Sequence, residues 1–173
     1  MIRILIALAA MTFAIPTYAE DSKPVVRRDF DKNTPLDNEF LAMASECCNC
    51  QCSMAELVGK RASRQEVKDF AKKMDEDHKA LLKDLTTTLK NRKIAIVAGT
   101  SKKDKARCKD LGKLEGKDFE VAFLKDVVAD HEKAIRVCEN QIANGKDEKV
   151  TEFATSAVKK LREHLKEAKK LRA

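Results

Sequence analysis

Residues 34–57 read TPLDNEFLAMASECCNCQCSMAEL, and this stretch contains both the start of a helix and its buried face. Thr34 is a suitable N-cap, Pro35 suits the first helical position, and Asp37 places an acid in the first turn. Apolar residues then recur at alternating four- and three-residue steps, the spacing of one helix face. This face comprises Leu36, Phe40, Met43, Cys47, Cys50, Met54 and Leu57. We therefore predict helix 1 over about residues 35–62.

Three further segments repeat this spacing. They predict helix 2 from just after Ser63 to about residue 91, helix 3 over about 117–143 and helix 4 over about 147–172. The connections between helices 1 and 2 and between helices 3 and 4 are tight, so each pair should form an antiparallel hairpin. Residues 93–116 lose the period and form a long connection, with at most a short helical turn. The predicted fold is all-α, a ferritin-like four-helix bundle with a long crossover connection between helices 2 and 3.

The composition agrees with a helical domain. Glycine and proline are scarce, at 5 and 3 residues of 173, and aromatic residues make up only 5%. The scarcity of aromatics argues against a β-sandwich and against an aromatic platform for nucleic acid. The formal net charge is +7, but basic and acidic residues alternate along the helices, which is typical of a solvated surface.

The N-terminal residues have the features of a targeting segment. Arg3 is followed by the apolar run Ile4 to Ile15, and Ala19 offers a small residue at a plausible cleavage site. We predict a signal peptide over 1–19, a flexible lead-in over 20–33, and a single bundle domain over 34–173. Such a protein would be periplasmic or secreted. No later segment is apolar enough to predict a transmembrane helix, and export argues against a nucleic-acid partner.

The three histidines are the first candidate functional residues. His78, His131 and His164 lie on different predicted helices, on or beside the apolar stripe, and each follows an acid. Phe70, Lys72, Asp77 and His78 also recur, 53 residues later, as Phe123, Lys125, Asp130 and His131. Neutral imidazoles with nearby carboxylates can converge on a metal in a bundle core. Alternatively, each is a core histidine whose ring is hydrogen-bonded to a neighbour.

The predicted register places these histidines at similar depths. Pairing about Ser63 puts His78 level with residue 48, and helices 2 and 3 should bring His78 and His131 to a common level. Pairing about Gly145 puts His164 level with about residue 126, some 7.5 Å from His131 along the axis. A three-histidine site would therefore require an adjustment of register or side-chain reach.

The six cysteines allow three interpretations. Cys47, Cys48, Cys50 and Cys52 lie within six residues, with Cys47 and Cys50 on the core stripe and the other two on a flanking face. Thiolates at this spacing can share a soft ion such as Cu(I) or Zn(II). They can instead form disulfides with Cys108 or Cys138, or act as small core residues.

The order and spacing of several short motifs resemble a family of exported bacterial proteins of ferritin-like fold, domain of unknown function 4142. The resemblance spans about 37–172. It rests on Glu39-Phe40-Leu41, Arg61-Ala62-Ser63, Glu66-Val67-Lys68, Asp77-His78, Phe119, Asp130-His131-Glu132-Lys133-Ala134, Phe153-Ala154 and His164-Leu165. It implies a four-helix bundle with a metal site. Gln51 stands where family members usually have an acid in helix 1, and no acid lies three residues before His131, so a ferritin-type di-iron centre is disfavoured. A softer ion, copper or zinc, fits better than iron.

These residues favour a metal-binding bundle for storage, buffering or resistance. The proposed ligands are His78, His131 and His164 with Cys47, Cys48, Cys50 or Cys52, while Asp77, Asp130 and Glu163 bind the ion or orient its ligands. The alternative is a metal-free structural or stress-related envelope protein with disulfides. A redox enzyme acting at a bound metal is a third hypothesis. The sequence contains no nucleophile triad, phosphate-binding glycine loop or nucleotide motif, which favours a non-enzymatic role.

Overall fold

The computed structural model describes residues 35–91 and 100–173, and all regular structure within them is helical. The helices are α1 (Pro35–Arg61), α2 (Gln65–Asn91), α3 (Lys102–Leu111), α4 (Gly116–Asn144) and α5 (Glu148–Arg172). The predicted all-α class is confirmed, and α1, α2, α4 and α5 match the predicted helices 1 to 4. The predicted signal peptide, the lead-in and the Thr34 N-cap lie outside the described residues. None of the described helices is both long and apolar enough to cross a membrane.

Each of the four long helices packs mainly against two of the other three. α1 packs against α2 and α4, and α5 packs against α4 and α2. The chain joins α1 to α2 and α4 to α5 directly through short turns, as predicted. These contacts enclose one shared interior, so the inward stripes of all four helices cover each other.

The connection between the two hairpins contains a helix that the apolar pattern did not predict at this length. α3 has ten residues rather than a short turn. Its N-cap is Ser101, whose side chain accepts a hydrogen bond from the amide of Asp104 at 3.1 Å. Leu111 is buried, and α3 contacts both α1 and α4. Capping and docking against the hairpins stabilise this helix, since its own sequence is largely polar.

Two buried acids each form hydrogen bonds with the turn region of the other hairpin. Glu120 of α4 accepts hydrogen bonds of 2.7 Å from the amides of Ser63 and Arg64, which lie in the α1–α2 turn. Asp37 of α1 accepts hydrogen bonds from the side chain of Gln141 and from the amide of Lys146, which follows α4. Each acid thereby satisfies donors that a turn would otherwise leave unpaired, and each fixes the register between the hairpins.

The apolar stripes form two clusters, one toward each end of the long helices. The first includes Met54, Val58, Val67, Phe70, Met74, Phe119, Phe123 and Val127. The second includes Phe40, Leu41, Leu81, Leu85, Ile135, Val150, Phe153 and Leu161. In α2 and α4 the histidines lie between residues of the two clusters, His78 between Met74 and Leu81 and His131 between Val127 and Ile135. The fold therefore places a polar layer between two apolar ones. Met43, predicted on the inward stripe, is instead 36% exposed.

Candidate metal centre

The structure brings the three histidines together in the interior. The ring centroids of His78, His131 and His164 lie 5.4–5.5 Å apart pairwise. One ring nitrogen from each lies within 4.8 Å of one from each of the others. All three side chains are at most 1% exposed. Three imidazoles on three helices thus converge on one point, which is the arrangement expected of a metal ligand set.

The predicted axial offset of His164 does not separate it from His131. Nε2 of His131 and Nδ1 of His164 are 3.3 Å apart. The α4–α5 turn centres on residue 146 rather than Gly145, which reduces the offset to about three residues, or roughly 4.5 Å. Side chains lean toward the N-terminus of their own helix, so in an antiparallel pair the two rings lean toward each other. This lean closes the remaining gap.

In two of the rings, the nitrogen that points away from the cluster forms a hydrogen bond, and this bond determines which nitrogen carries the proton. Nδ1 of His131 lies 2.8 Å from the carbonyl of Val127, and Nε2 of His164 lies 2.9 Å from a carboxylate oxygen of Asp77. A carbonyl and an ionised carboxylate can only accept, so both of these nitrogens donate their protons. In the neutral rings, Nε2 of His131 and Nδ1 of His164 are therefore both unprotonated. Two lone pairs face each other across 3.3 Å.

His78 completes the group with an unused nitrogen. Its Nδ1 lies 3.5 Å from the Sγ of Cys48. Its Nε2 is buried and has no hydrogen-bond partner among the described residues. Buried ring nitrogens are ordinarily paired, because desolvating one without a partner costs about 1–3 kcal/mol. An unpaired nitrogen beside two facing lone pairs indicates a place for a bound group.

The environment keeps all three rings uncharged. Burial and, to a smaller extent, the neighbouring His164 lower the pKa of His131 to about 4. Burial and the two other rings hold the pKa of His78 well below its ordinary value, and burial also lowers the pKa of His164. Neutral imidazole is the form that binds metal, so these ligands need lose no proton at neutral pH.

The two predicted acids differ in position. Asp77 lies at the edge of the cluster, where it accepts from His164, Lys73 and Lys160. Burial raises the pKa of Asp77, but these three hydrogen bonds together hold it well below its usual range. A carboxylate that orients the far nitrogen of an imidazole is the usual partner of a metal-bound histidine.

Asp130 does not reach the ring of His131, its neighbour in sequence. It accepts two hydrogen bonds from Arg107, of 2.9 and 2.7 Å, and one of 2.8 Å from the amide of Gln51. Glu163, the acid before His164, is exposed on the surface. Of the three acids considered from the sequence, the structure therefore brings only Asp77 into contact with a histidine of the cluster.

The cysteines of α1 spread around the helix instead of forming one cluster. Cys48 faces His78, Cys50 contacts Arg107 at 2.9 Å, and Cys52 interacts with Asp75. Cys48 and Cys52, predicted on a flanking face, are buried because neighbouring helices cover that face too. Within 35–91 and 100–173, only the three histidines form a group of three or more candidate ligands with all their ligand atoms within 4.8 Å.

The thiols of α1 also have raised pKa values, which makes them poor metal ligands. Burial raises the pKa of Cys47 and Cys52 to about 12, and it raises that of Cys48 well above its ordinary value. Metal binding by a thiol requires the thiolate. These side chains would therefore have to release a proton that the protein holds firmly.

A cavity of about 180 Å³ connects the cysteine-bearing face of α1 to the histidine cluster. His78 is the one cluster histidine in its lining, beside the thiols of Cys47, Cys48 and Cys138. Asp104 and Arg107 of α3 line the same cavity. Sequence reasoning missed Arg107, because it lies in the non-periodic connection and nothing in the local pattern indicates its contact with Asp130.

Several solved structures have a similar fold. A fragment of a DUF305 protein from Deinococcus radiodurans is 14% identical, with a TM-score of 0.72 over 80% of this chain and 95% of that one. CopM in its Cu(II)-bound form is 18% identical, with a TM-score of 0.68 over 79% of this chain and 95% of CopM. Its Cu(I)-bound form is also 18% identical, with a TM-score of 0.65 over 78% of this chain and 93% of CopM. At these identities the likeness concerns the fold.

No curated protein shows significant sequence similarity to this chain. A family match covers most of it, over residues 28–171, which include α1 to α4, all but the last residue of α5, and the three histidines. The chain thus belongs to the family described as Domain of unknown function (DUF4142).

Proposed function

We propose that this chain is an exported metal-binding protein that holds a transition-metal ion at His78, His131 and His164. The observation that supports this most strongly is the pair of lone pairs on His131 and His164, which face each other across 3.3 Å. Two acceptors at this separation repel each other in the absence of a proton or a cation between them. A cation bound to both nitrogens converts this repulsion into two bonds.

The spacing of the nitrogens fits such an ion. Two imidazole nitrogens bound to Zn²⁺ at about 2.0–2.1 Å in tetrahedral geometry are about 3.3 Å apart. The His131–His164 separation of 3.3 Å has this value without rearrangement. The separations that involve His78 extend to at most 4.8 Å. A modest rotation of the His78 ring would bring its unpaired Nε2 to the same ion.

The donor set favours copper or zinc over iron. Three neutral imidazoles suit Zn(II) and copper, whereas iron in bundle cores usually has bridging carboxylates. Gln51 supplies no carboxylate, and Asp130 is paired with Arg107. CopM, a protein of similar fold, was solved with Cu(II) and with Cu(I). This adds support for copper at the level of fold only.

The scaffold and location complete the proposal. The two hairpins, joined by the connection that carries α3, fit a ferritin-like four-helix bundle with a single crossover. Residues 1–19 have the pattern of a signal peptide, which would deliver the bundle to the periplasm or beyond. There the protein would serve metal storage, buffering or resistance. The ion would be reached through the cavity beside His78.

Metal content of the mature protein tests this proposal. Protein purified without chelator, and apoprotein reconstituted with Zn(II), Cu(II) or Cu(I), should contain about one ion per chain by elemental mass spectrometry. A variant with His78→Leu, His131→Leu and His164→Leu should contain none, since leucine fills a similar volume without a nitrogen donor. Cys52→Ser is the matched control and should keep the ion, because Cys52 faces Asp75. Wild-type protein that remains metal-free after reconstitution would favour the structural alternative.

A further inference from the structure

Cys50 and Cys108 are a pair of neighbouring thiols that belong to different helices. Cys50 is on α1 and only 3% exposed, whereas Cys108 is on α3 and partly exposed. Cys108 packs against the buried cluster that contains Cys50, and each thiol shifts the pKa of the other. The pair is 58 residues apart in sequence, so only the docking of α3 brings it together.

An arginine holds this pair in place. Arg107 Nη2 lies 2.9 Å from the Sγ of Cys50, while the same guanidinium binds Asp130 of α4 through two hydrogen bonds. Arg107 therefore anchors α3 to α1 and α4 at the level of the two thiols. The contact with Cys108 and burial raise the pKa of Cys50, and the positive charge of Arg107 opposes this by favouring the thiolate that exchange requires.

We propose that Cys50 and Cys108 form a reversible disulfide that fastens α3 to α1. The oxidant is a small-molecule or protein disulfide. The Cys108 thiolate attacks one sulfur of the oxidant, and the other sulfur leaves as a thiolate, giving a mixed disulfide at Cys108. The Cys50 thiolate then attacks Sγ of Cys108 and displaces the second thiolate. One Sγ–Sγ bond has formed, the oxidant's S–S bond has broken, and the two thiol protons have passed to the two leaving thiolates, so that the oxidant has been reduced to two thiols.

The exposure of the two residues fits this order of events. Cys108 is accessible enough to meet an incoming disulfide, whereas Cys50 is buried. The product would also fix one wall of the cavity beside His78, because Asp104 and Arg107 of α3 form part of that wall. The proposal does not depend on a bound metal, and the test uses apoprotein in the presence of chelator.

Tryptic mapping identifies the disulfide directly. Trypsin should release Cys50 within peptide 33–60 and Cys108 within the dipeptide 108–109. Reduced protein is incubated with excess oxidised glutathione, alkylated, digested without reductant and analysed by mass spectrometry. We expect the two peptides to be linked, and the oxidised protein to melt at a higher temperature than the reduced protein.

Three single variants assign the partners. Cys50→Ser and Cys108→Ser should each abolish the link, whereas Cys47→Ser, on the same tryptic peptide, should retain it. Circular dichroism verifies that each variant is as helical as the wild type. Cys108→Ser replaces a partly exposed side chain and is the variant that should fold most readily. The proposal is wrong if dipeptide 108–109 of wild-type protein is fully alkylated, if glutathione stays on Cys108, or if the link survives in Cys50→Ser.

Discussion

The histidines and the cysteines of this protein show opposite relations between sequence and space. The histidines are 53 and 33 residues apart, yet their rings meet at 5.4–5.5 Å. Four cysteines lie within six residues, yet Cys48 and Cys52 contact α2 while Cys50 contacts α3. Successive residues of an α-helix are rotated by about 100°, so Cys47 to Cys52 span roughly 200° of the surface of α1. In a helical bundle, one ligand from each helix forms a compact site more readily than several ligands from one helix.

The two regions also differ in how ready they are to bind metal. The three imidazoles are neutral, two have donors fixed by outer partners, and one nitrogen is unpaired. The thiols hold their protons because burial raises the pKa values of Cys47, Cys48, Cys52 and Cys138. The comparison therefore predicts a site formed by histidines, with thiols as neighbours.

The largest expected effect is the loss of any one histidine. His78→Leu, His131→Leu and His164→Leu should each weaken Zn(II) or copper binding by at least about 100-fold, more than the 10–100-fold typical of residues outside the ligand set. Competition with a chromophoric chelator measures this. If one of the three variants binds as tightly as wild type, that ring is not a ligand and the three-histidine site is wrong.

The apoprotein should lose stability as the pH falls from about 6.5 to about 4. The unfolded histidines take up protons near their ordinary pKa of about 6.5, whereas His131 in the folded protein remains neutral down to about 4. The unfolded state then binds more protons, so the free energy of unfolding decreases with falling pH, by roughly 3 kcal/mol from His131 alone. His78 and His164 act in the same direction.

Urea unfolding of metal-free protein at pH 7, 5.5 and 4.5 measures this dependence. The variant with all three histidines replaced by leucine is the control, since it keeps the charged neighbours Asp77, Lys73 and Lys160. As the pH falls, the free energy of unfolding of the wild type should decrease more steeply than that of this control. Equal pH dependence of the two proteins would mean that the histidines titrate normally and are not buried as neutral rings.

A smaller effect distinguishes the two aspartates that precede histidines. Asp77→Ala should weaken metal binding by about 10–100-fold, because His164 loses the carboxylate that orients it. Asp130→Ala is matched in chemistry and in position beside a histidine. It should change affinity by less than about threefold while destabilising the docking of α3 through Arg107. Calorimetric titration of both variants tests this, and the reverse order of effects would assign the orienting role to Asp130.

Much of the fold and part of the site could be predicted from the sequence, for a physical reason. The apolar period predicted four helices within about a residue of their observed ends, because burial of one face decides where a long amphipathic helix forms. The same stripe carried the three histidines inward. Helix α3 was predicted only as a short turn, since docking and a cap stabilise it rather than its own period.

The remaining parts of the site depend on side-chain directions that the sequence does not contain. The pattern Asp-His suggested the same role for Asp77 and Asp130, but neighbouring residues on a helix point about 100° apart. The helix that covers each acid then determines its partner. Asp130 is covered by α3, where Arg107 forms an ion pair with it. The register of α5 against α4 likewise depends on the centre of a turn and on the lean of two rings.

The smallest expected effect concerns Cys48, the cysteine in contact with His78, and tests whether this thiol takes part in metal binding. Cys48→Ser should change the affinity for Zn(II) or copper by less than about tenfold. The thiol lies 3.5 Å from Nδ1 of His78, and a serine hydroxyl can still accept a hydrogen bond from that nitrogen. Burial also raises the pKa of Cys48 well above its ordinary value, so binding through the thiolate would first require an unfavourable deprotonation. Competition titration with Cu(I) is the most demanding measurement, since this ion has the greatest preference for sulfur. A 100-fold loss for Cu(I), with little change for Zn(II), would show that the ion draws the proton from Cys48 and that one thiol joins the histidines.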